Sequence, residues 1–191
     1  GRNIFAILIV GITALFVFLM ASDVLTNGPV TYVFGSTAST VQQSTVIRIL
    51  FEIDALSIFM AIVGIILSFV AVLYSYAFMH RETGQDKYYT LLLLMTTGML
   101  GMMLTGDLFN FFVFLEITSI ASAALVAFWT NKAKAVEAGF KYIVISTIGA
   151  LFVLFAIALL YGQYDALNMA KIAQSIGITG FTFLDKIALV L

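Results

Sequence analysis

One carboxylate, Glu116, stands in the middle of an uninterrupted apolar stretch, TGDLFNFFVFLEITSIASAALVAFW at 105–129, and it is the residue best placed to do chemistry. Written as a helix from Leu108 to Trp129, the stretch is about 33 Å long, close to the roughly 30 Å hydrocarbon core of a bilayer. Glu116 then lies about 12 Å from one end. An unpaired charge at that depth costs on the order of several kcal/mol, so the carboxyl must be protonated, paired or turned toward a watered cavity. The chemistry this suits is exchange of a proton or cation, with an interhelical hydrogen bond as the structural alternative. At 100° per residue Glu116, Ser119, Ala123 and Ala127 share one face, expected to look into the protein. Phe111, Phe114, Leu125 and Phe128 lie toward the other, expected to meet lipid or bulkier neighbours.

The second ionisable residue inside an apolar run is Lys141, about 8 Å into the stretch at 136–161. Glu137 precedes it by four residues, the favourable helical order for an ion pair. Lys141 is thus either a relay, expected to reach into the interior, or half of a local pair. Counted from the short loop joining the two stretches, Glu116 lies about 20 Å deep and Lys141 about 8 Å. A bridging water or polar side chain would have to join them. Asp54 and Asp107 each precede an apolar stretch and fit helix caps that complement the positive helix end. His80 is the one histidine and sits at a membrane border, which excludes a multi-histidine metal site. With no cysteine, the chain can hold no disulfide, thiolate zinc site or cysteine-ligated iron–sulfur cluster. Met95, Met99, Met102 and Met103 fit packing rather than copper binding. No metal or organic cofactor is expected in this chain, and no catalysis by it alone; redox chemistry would belong to a partner.

The elements that must hold these residues are membrane helices. Hydrophobic residues make up 62% of the 191, charged residues 10%, and the mean hydropathy is +1.12, whereas soluble domains carry about 25% charge. A net charge of -1 gives no reason to expect a nucleic-acid partner. The spacing predicts one all-α polytopic transmembrane bundle over 1–191, with spans at 3–21, 55–79, 88–105, 108–129 and 136–161 and another opening at 181. The first run is too long for a secretory signal core. Between the first two spans lies a polar, Ser/Thr-rich loop from Ser22 to Arg48, with turn signals at Asn27, Gly28 and Pro29, and TYVFG within it can form either a short strand or an irregular extracellular patch. A short amphipathic helix is expected at 167–176. Tyr88 and Tyr89 suit an interface, and Gly98 and Gly101 permit close approach of a neighbouring helix. Arg2, Arg81, Lys87, Lys132 and Lys134 fall on the N-terminal side, against Arg48, Lys171 and Lys186 opposite, which places the N-terminal end in the cytoplasm. A chain starting at Gly1 and stopping inside an apolar run is expected to be a piece of something longer.

TGDLFNFFVFLE at 105–116, EAGFKY at 137–142 and ALLYG at 158–162 resemble the antiporter-like membrane subunits shared by Mrp-type cation/proton antiporters, membrane-bound hydrogenases and respiratory complex I. IDALS at 53–57 is similar to the VDGLS-type element of that family, with Ala55 where glycine is common. The GDLFN form is closer to the Mrp and hydrogenase branches. The resemblance implies a bundle built from two inverted five-helix repeats, each with a broken helix, of which this chain would hold about family helices two to seven. By motif match it places Glu116 as the acid of family helix five and Lys141 as the lysine of helix six, while the lysine of helix seven would lie beyond Leu191. It implies a proton- or sodium-translocating subunit of a redox-driven pump or an antiporter in the cell (inner) membrane, multi-pass. Glu116 would exchange the ion and Lys141 relay it, supported by Asp54, Asp107, Glu137 and Ser119. The implied partners are other membrane subunits of a hetero-oligomeric complex, H+ or Na+, and in the redox branches a hydrophilic iron–sulfur arm. A truncated subunit that only supports such a complex is the alternative, and a small-solute transporter of another family fits the motif order less well.

Overall fold

The computed structural model describes residues 2–34, 49–79 and 83–191. Within them seven helices and one ribbon follow in the order α1 (Arg2–Asn27), β1 (Val30–Val33), β2 (Leu50–Ile53), α2 (Ala55–Phe78), α3 (Gln85–Leu104), α4 (Leu108–Val126), α5 (Ala133–Tyr164), α6 (Met169–Thr179) and α7 (Phe183–Val190). Helices α1, α2, α4 and α5 are long and apolar enough to cross a membrane. The protein is a multi-pass helical membrane protein. Helix α3, expected as a fifth complete span, does not reach the same apolarity, because Gln85, Asp86 and Lys87 open it and tyrosine, threonine and glycine dilute the rest. Its 20 residues still measure about 30 Å, and it runs between α2 and α4.

Helix ends depart from the ends of the apolar runs for local reasons. Helix α1 continues past Ala21 to Asn27 because its polar residues bond back into the helix: Ser22 Oγ donates to the Leu19 carbonyl at 2.7 Å, Thr26 Oγ1 to that of Ser22 at 2.8 Å, and Asn27 Nδ2 to Asp23 Oδ1 at 2.6 Å. Gly28, at φ 91°, and Pro29 then stop it. Of the two alternatives for TYVFG the strand is the one present, as β1, paired antiparallel with β2 in the register Val30↔Ile53 to Val33↔Leu50. Gly35, the rest of the loop to Arg48, His80 and Arg81 lie outside the described residues.

Successive helices pack side by side, α1 on α2, α2 on α3, α3 on α4 and α4 on α5. The bundle therefore has two poles. The ribbon, the starts of α2 and α4 and the ends of α3 and α5 share one; the ends of α2 and α4 and the starts of α3 and α5 share the other. Small residues set the spacing. Met103 of α3 caps Gly64 of α2, where an added Cβ would meet its Cε at 3.0 Å. Gly98 lies against the Phe114 carbonyl and Thr118 of α4, and the Phe114 ring covers Gly101. Gly98 and Gly101 thus admit a neighbouring helix as expected. Phe114, expected to meet lipid or bulkier neighbours, meets protein: its ring fills the hollow over Gly101 and lies 6.1 Å from the ring of Phe51.

Candidate functional site

Glu116 lies eight residues into α4, about 12 Å from its start, and ten from its end, about 15 Å. Three contacts orient the helix. Phe114 and Thr118 turn to α3, while Ala123 and Ala127 turn to α5, where a Cβ on Gly139 would come within 2.6 Å of the Ala127 Cβ and 3.0 Å of the Ala123 carbonyl. Glu116 is seven residues before Ala123, two full turns, so it shares the α5-facing stripe. It is half-buried, as is Ser119, and Ala123 is buried. No hydrogen bond or ion pair to the Glu116 carboxyl is present among the described residues.

Lys141 does not turn toward α4 and Glu116. Gly139 faces α4, and two residues further along a helix the side chain points about 200° away. Lys141 therefore emerges on the face of α5 turned away from α4, where its Nζ donates to Glu137 Oε1 at 2.5 Å, with the two side chains 68% and 62% exposed. The same glycine fixes the register: Lys141 stands level with about Ala123, some seven residues or roughly 10 Å along the axis from Glu116. Helix α5 has 32 residues, about 48 Å, which exceeds the hydrocarbon core by about 18 Å. That surplus leaves room for the Glu137–Lys141 pair at the membrane boundary, where charged heads reach water. Glu116 and Lys141 are thus separated in depth and in facing.

At the ribbon pole the TGD turn is held from both sides. The Gly106 N–H donates to the Leu50 carbonyl of β2 at 3.1 Å, Leu108 N–H to the Leu167 carbonyl at 2.9 Å, and Met169 N–H to the Gly106 carbonyl at 2.9 Å. The first N–H of α4 and the first of α6 are both satisfied this way. Asp107 is 4% exposed and caps α4 by accepting from Asn110 N–H at 2.9 Å, while Asn110 Nδ2 donates to Thr105 Oγ1 at 2.9 Å. Burial pushes the Asp107 carboxyl above its ordinary value, against the opposing bond from Asn110. A Cβ on Gly106 would sit 2.7 Å from that of Glu52, so only glycine fits under this carboxylate. Asp54 is exposed and caps α2, its Oδ1 accepting from Ser57 N–H at 2.7 Å, a bond that lowers its carboxyl. Among the described residues no group of three or more metal-ligating side chains is present.

One cluster escaped the sequence. Asp185 of α7 is buried against Tyr164 and Gln163 at the end of α5. Its legible trace was Thr182-Phe-Leu-Asp185, a capping box ahead of an apolar run.

Two family models match. "NADH:quinone oxidoreductase/Mrp antiporter, TM" covers residues 105–190, and "NADH-Ubiquinone oxidoreductase (complex I), chain 5 N-terminus" covers 41–89. The NADH-quinone oxidoreductase subunit N of Desulforudis audaxviator is 45% identical over 89 residues, 47% of this chain and 17% of that one. The F(420)H(2) dehydrogenase subunit N of Methanosarcina mazei is 30% identical over 149 residues, 78% of this chain and 30% of that one. A chain of the membrane-bound sulfane sulfur reductase, an archaeal respiratory membrane complex, superposes with a TM-score of 0.83 at 32% identity, covering 98% of this chain and 37% of that one. The chain therefore spans little more than a third of these relatives at most. The matches extend across several branches and do not select the one that GDLFN resembles.

Proposed function

From a chain that belongs to the antiporter-like membrane subunit family shared by complex I, Mrp antiporters and related complexes, we propose a subunit that translocates protons or sodium ions within a larger membrane complex. The observation that carries this is Glu116: a lone carboxyl near mid-membrane depth, half-buried on the α5-facing stripe of α4. A carboxyl so placed changes charge when the field around it changes, since a nearby cation favours its ionised form and low dielectric its neutral form. Glu116 takes up and releases the ion, and its charge is coupled to the next titratable group on the path.

The proposed role of Lys141 is narrower than a direct relay. Its pairing with Glu137 on the far face of α5 supports a charge-setting pair at the boundary, communicating with Glu116 only through water or another polar side chain. The proposed partners are other membrane subunits and, in a redox-driven complex, an iron–sulfur arm. Replacing Glu116 tests the proposal in the intact complex. Glu116→Gln keeps shape and removes the charge, so assembly survives and ion movement into vesicles falls at least tenfold, while Glu116→Asp retains part of the activity. Full transport by Glu116→Gln at equal assembled amounts removes Glu116 from the ion path.

A further inference from the structure

We propose that Ser146 of α5 is the positioning residue for Glu116, its hydroxyl donating to the carboxylate whenever Glu116 is ionised; the role rests on the transport reading of Glu116. Gly139 packs on Ala123 and Ala127, so it marks the side of α5 that faces α4. Ser146 follows it by seven residues, two turns, and returns to within about 20° of the same direction. Burial along α5 keeps to that stripe independently. Gly139, Ala150 and Ile157 are buried and Ile143, Ser146 and Val153 half-buried, while Val144, Ile145, Ile148, Leu151 and Phe152 are exposed. Ser146 is the one polar side chain on the stripe. Helix α4 presents the matching side: with Ala123 as the direction of α5, Glu116 lies about 20° from it and Phe114, on α3, about 180°. Depth follows from the same contact. Gly139 stands level with the turn from Ala123 to Ala127, and the helices run antiparallel, so Ser146 comes level with about Thr118, roughly 3 Å along the axis from Glu116. Glycine against alanine holds two axes at the close end of helix packing, about 8 Å apart. The hydroxyl of the α5 stripe therefore faces the carboxyl of the α4 stripe.

Serine and threonine inside helices often return their proton to the carbonyl one turn earlier. Thr118 and Ser122 of α4 do so, at 2.9 Å to the Phe114 carbonyl and 2.7 Å to the Thr118 carbonyl. Ser146 makes no such bond to its own helix among the described residues, which leaves its proton for an acceptor in the seam. A hydroxyl suits Glu116 in both states, donating to the carboxylate and accepting from the acid. The two side chains are not bonded in this structure, and a change of glutamate rotamer is the movement that joins them. A donor so placed stabilises the ionised carboxyl without bringing a second charge into the membrane. A serine that only packed would be replaceable by alanine, since the seam is already built of glycine and alanine.

The test reads Glu116 itself in the intact complex. A hydrophobic carbodiimide adds to a protonated carboxyl, and mass spectrometry of the peptide that carries Glu116 measures the adduct, with Glu116→Gln as the blank. At alkaline pH, where the unmodified complex is labelled slowly, Ser146→Ala should be labelled about tenfold faster, the effect of losing one hydrogen bond to a charged group. Ion movement into vesicles should fall severalfold at equal assembled amounts. Ser146→Thr keeps the hydroxyl and should return both readings toward those of the unmodified complex. Unchanged labelling in Ser146→Ala overturns the assignment whether or not transport falls, because a loss of transport alone would make the serine a packing residue. The two readings fail separately: full transport by Glu116→Gln beside faster labelling of Ser146→Ala removes the transport role and leaves the hydrogen bond, while abolished transport in Glu116→Gln beside unchanged labelling of Ser146→Ala does the opposite.

Discussion

Asp54 and Asp107 make the same bond in opposite surroundings. Each accepts the N–H three residues on, but Asp54 is exposed and Asp107 is buried. The Asp54 carboxyl is lowered below 3.8 by the Ser57 N–H, so its contribution to stability is present above that value and lost as pH falls through the lowered folded value. The Asp107 carboxyl is raised above 3.8 by desolvation, so its contribution is fully present below 3.8 and lost as pH rises through the raised folded value. Thermal unfolding of the complex at neutral and acidic pH separates the two. Asp54→Ala should lose about 1 kcal/mol at neutral pH and less in acid. Asp107→Asn keeps an equally good cap and removes the buried charge, so it should be neutral to stabilising at neutral pH, with the advantage vanishing in acid. A clear loss of stability in Asp107→Asn at neutral pH would mean that the carboxylate has a partner beyond Asn110. Both caps were legible because a cap is a local pattern, and Glu116 was legible because a carboxyl in an apolar run is conspicuous. The facing of Lys141 was not, since it depends on which side of α5 Gly139 presents to α4. Asp185 was hidden because its partner Tyr164 lies 21 residues away in sequence.

At the scale of elements, the apolar runs announced the helices and the glycines announced a contact, but not which helix would meet which. The α3–α4 seam is where this matters, because it fixes the rotation of the helix that carries Glu116. A Cβ at Gly98 would lie 3.0 Å from the Phe114 carbonyl and from the Thr118 nitrogen, both backbone atoms that cannot swing aside, and one at Gly101 would enter the Phe114 ring. Gly98→Ala and Gly101→Ala should each cost about 1–3 kcal/mol by overpacking and lower transport by turning Glu116. Gly177→Ala in α6, with nothing within 4 Å of the added atom, should instead gain up to about 1 kcal/mol of helix propensity. Midpoints of the three variants, compared in the same detergent, check the sign of each. The ribbon was half legible. The β-branched and aromatic residues of β1 marked a strand, whereas LFEI of β2 reads equally well as the approach to a helix, and only the Gly106 N–H reaching the Leu50 carbonyl shows why it stays extended.

The described helices end in two unlike poles, and the difference between them sets an expectation for their orientation in the membrane. At one, Phe78, Tyr88, Phe128 and Trp129 form a chain of edge-on ring contacts 5.5–6.1 Å apart, with Lys132 Nζ 4.8 Å from the centre of the Trp129 ring. A tyrosine and a tryptophan among the rings, with a lysine beside them, are what the boundary between lipid and water selects. In the sequence the larger share of Lys and Arg belongs to this side, so the expectation to be tested is that it faces the cytoplasm. The other pole carries the ribbon, the TGD turn and the Asp185 cluster. Because the chain has no cysteine, a single one placed in each pole reports its side directly. Asn131→Cys in the α4–α5 loop and Gln174→Cys in α6 are exposed positions. With a membrane-impermeant maleimide on intact cells, Gln174→Cys should label and Asn131→Cys should not, the pattern should reverse in inverted vesicles, and both should label after detergent. The opposite pattern would turn the Asp185 cluster and the start of α4 to the cytoplasm. An ion would then approach Glu116 past Asp107 from the inside, and the Glu137–Lys141 pair would stand at the outer boundary instead of the inner one.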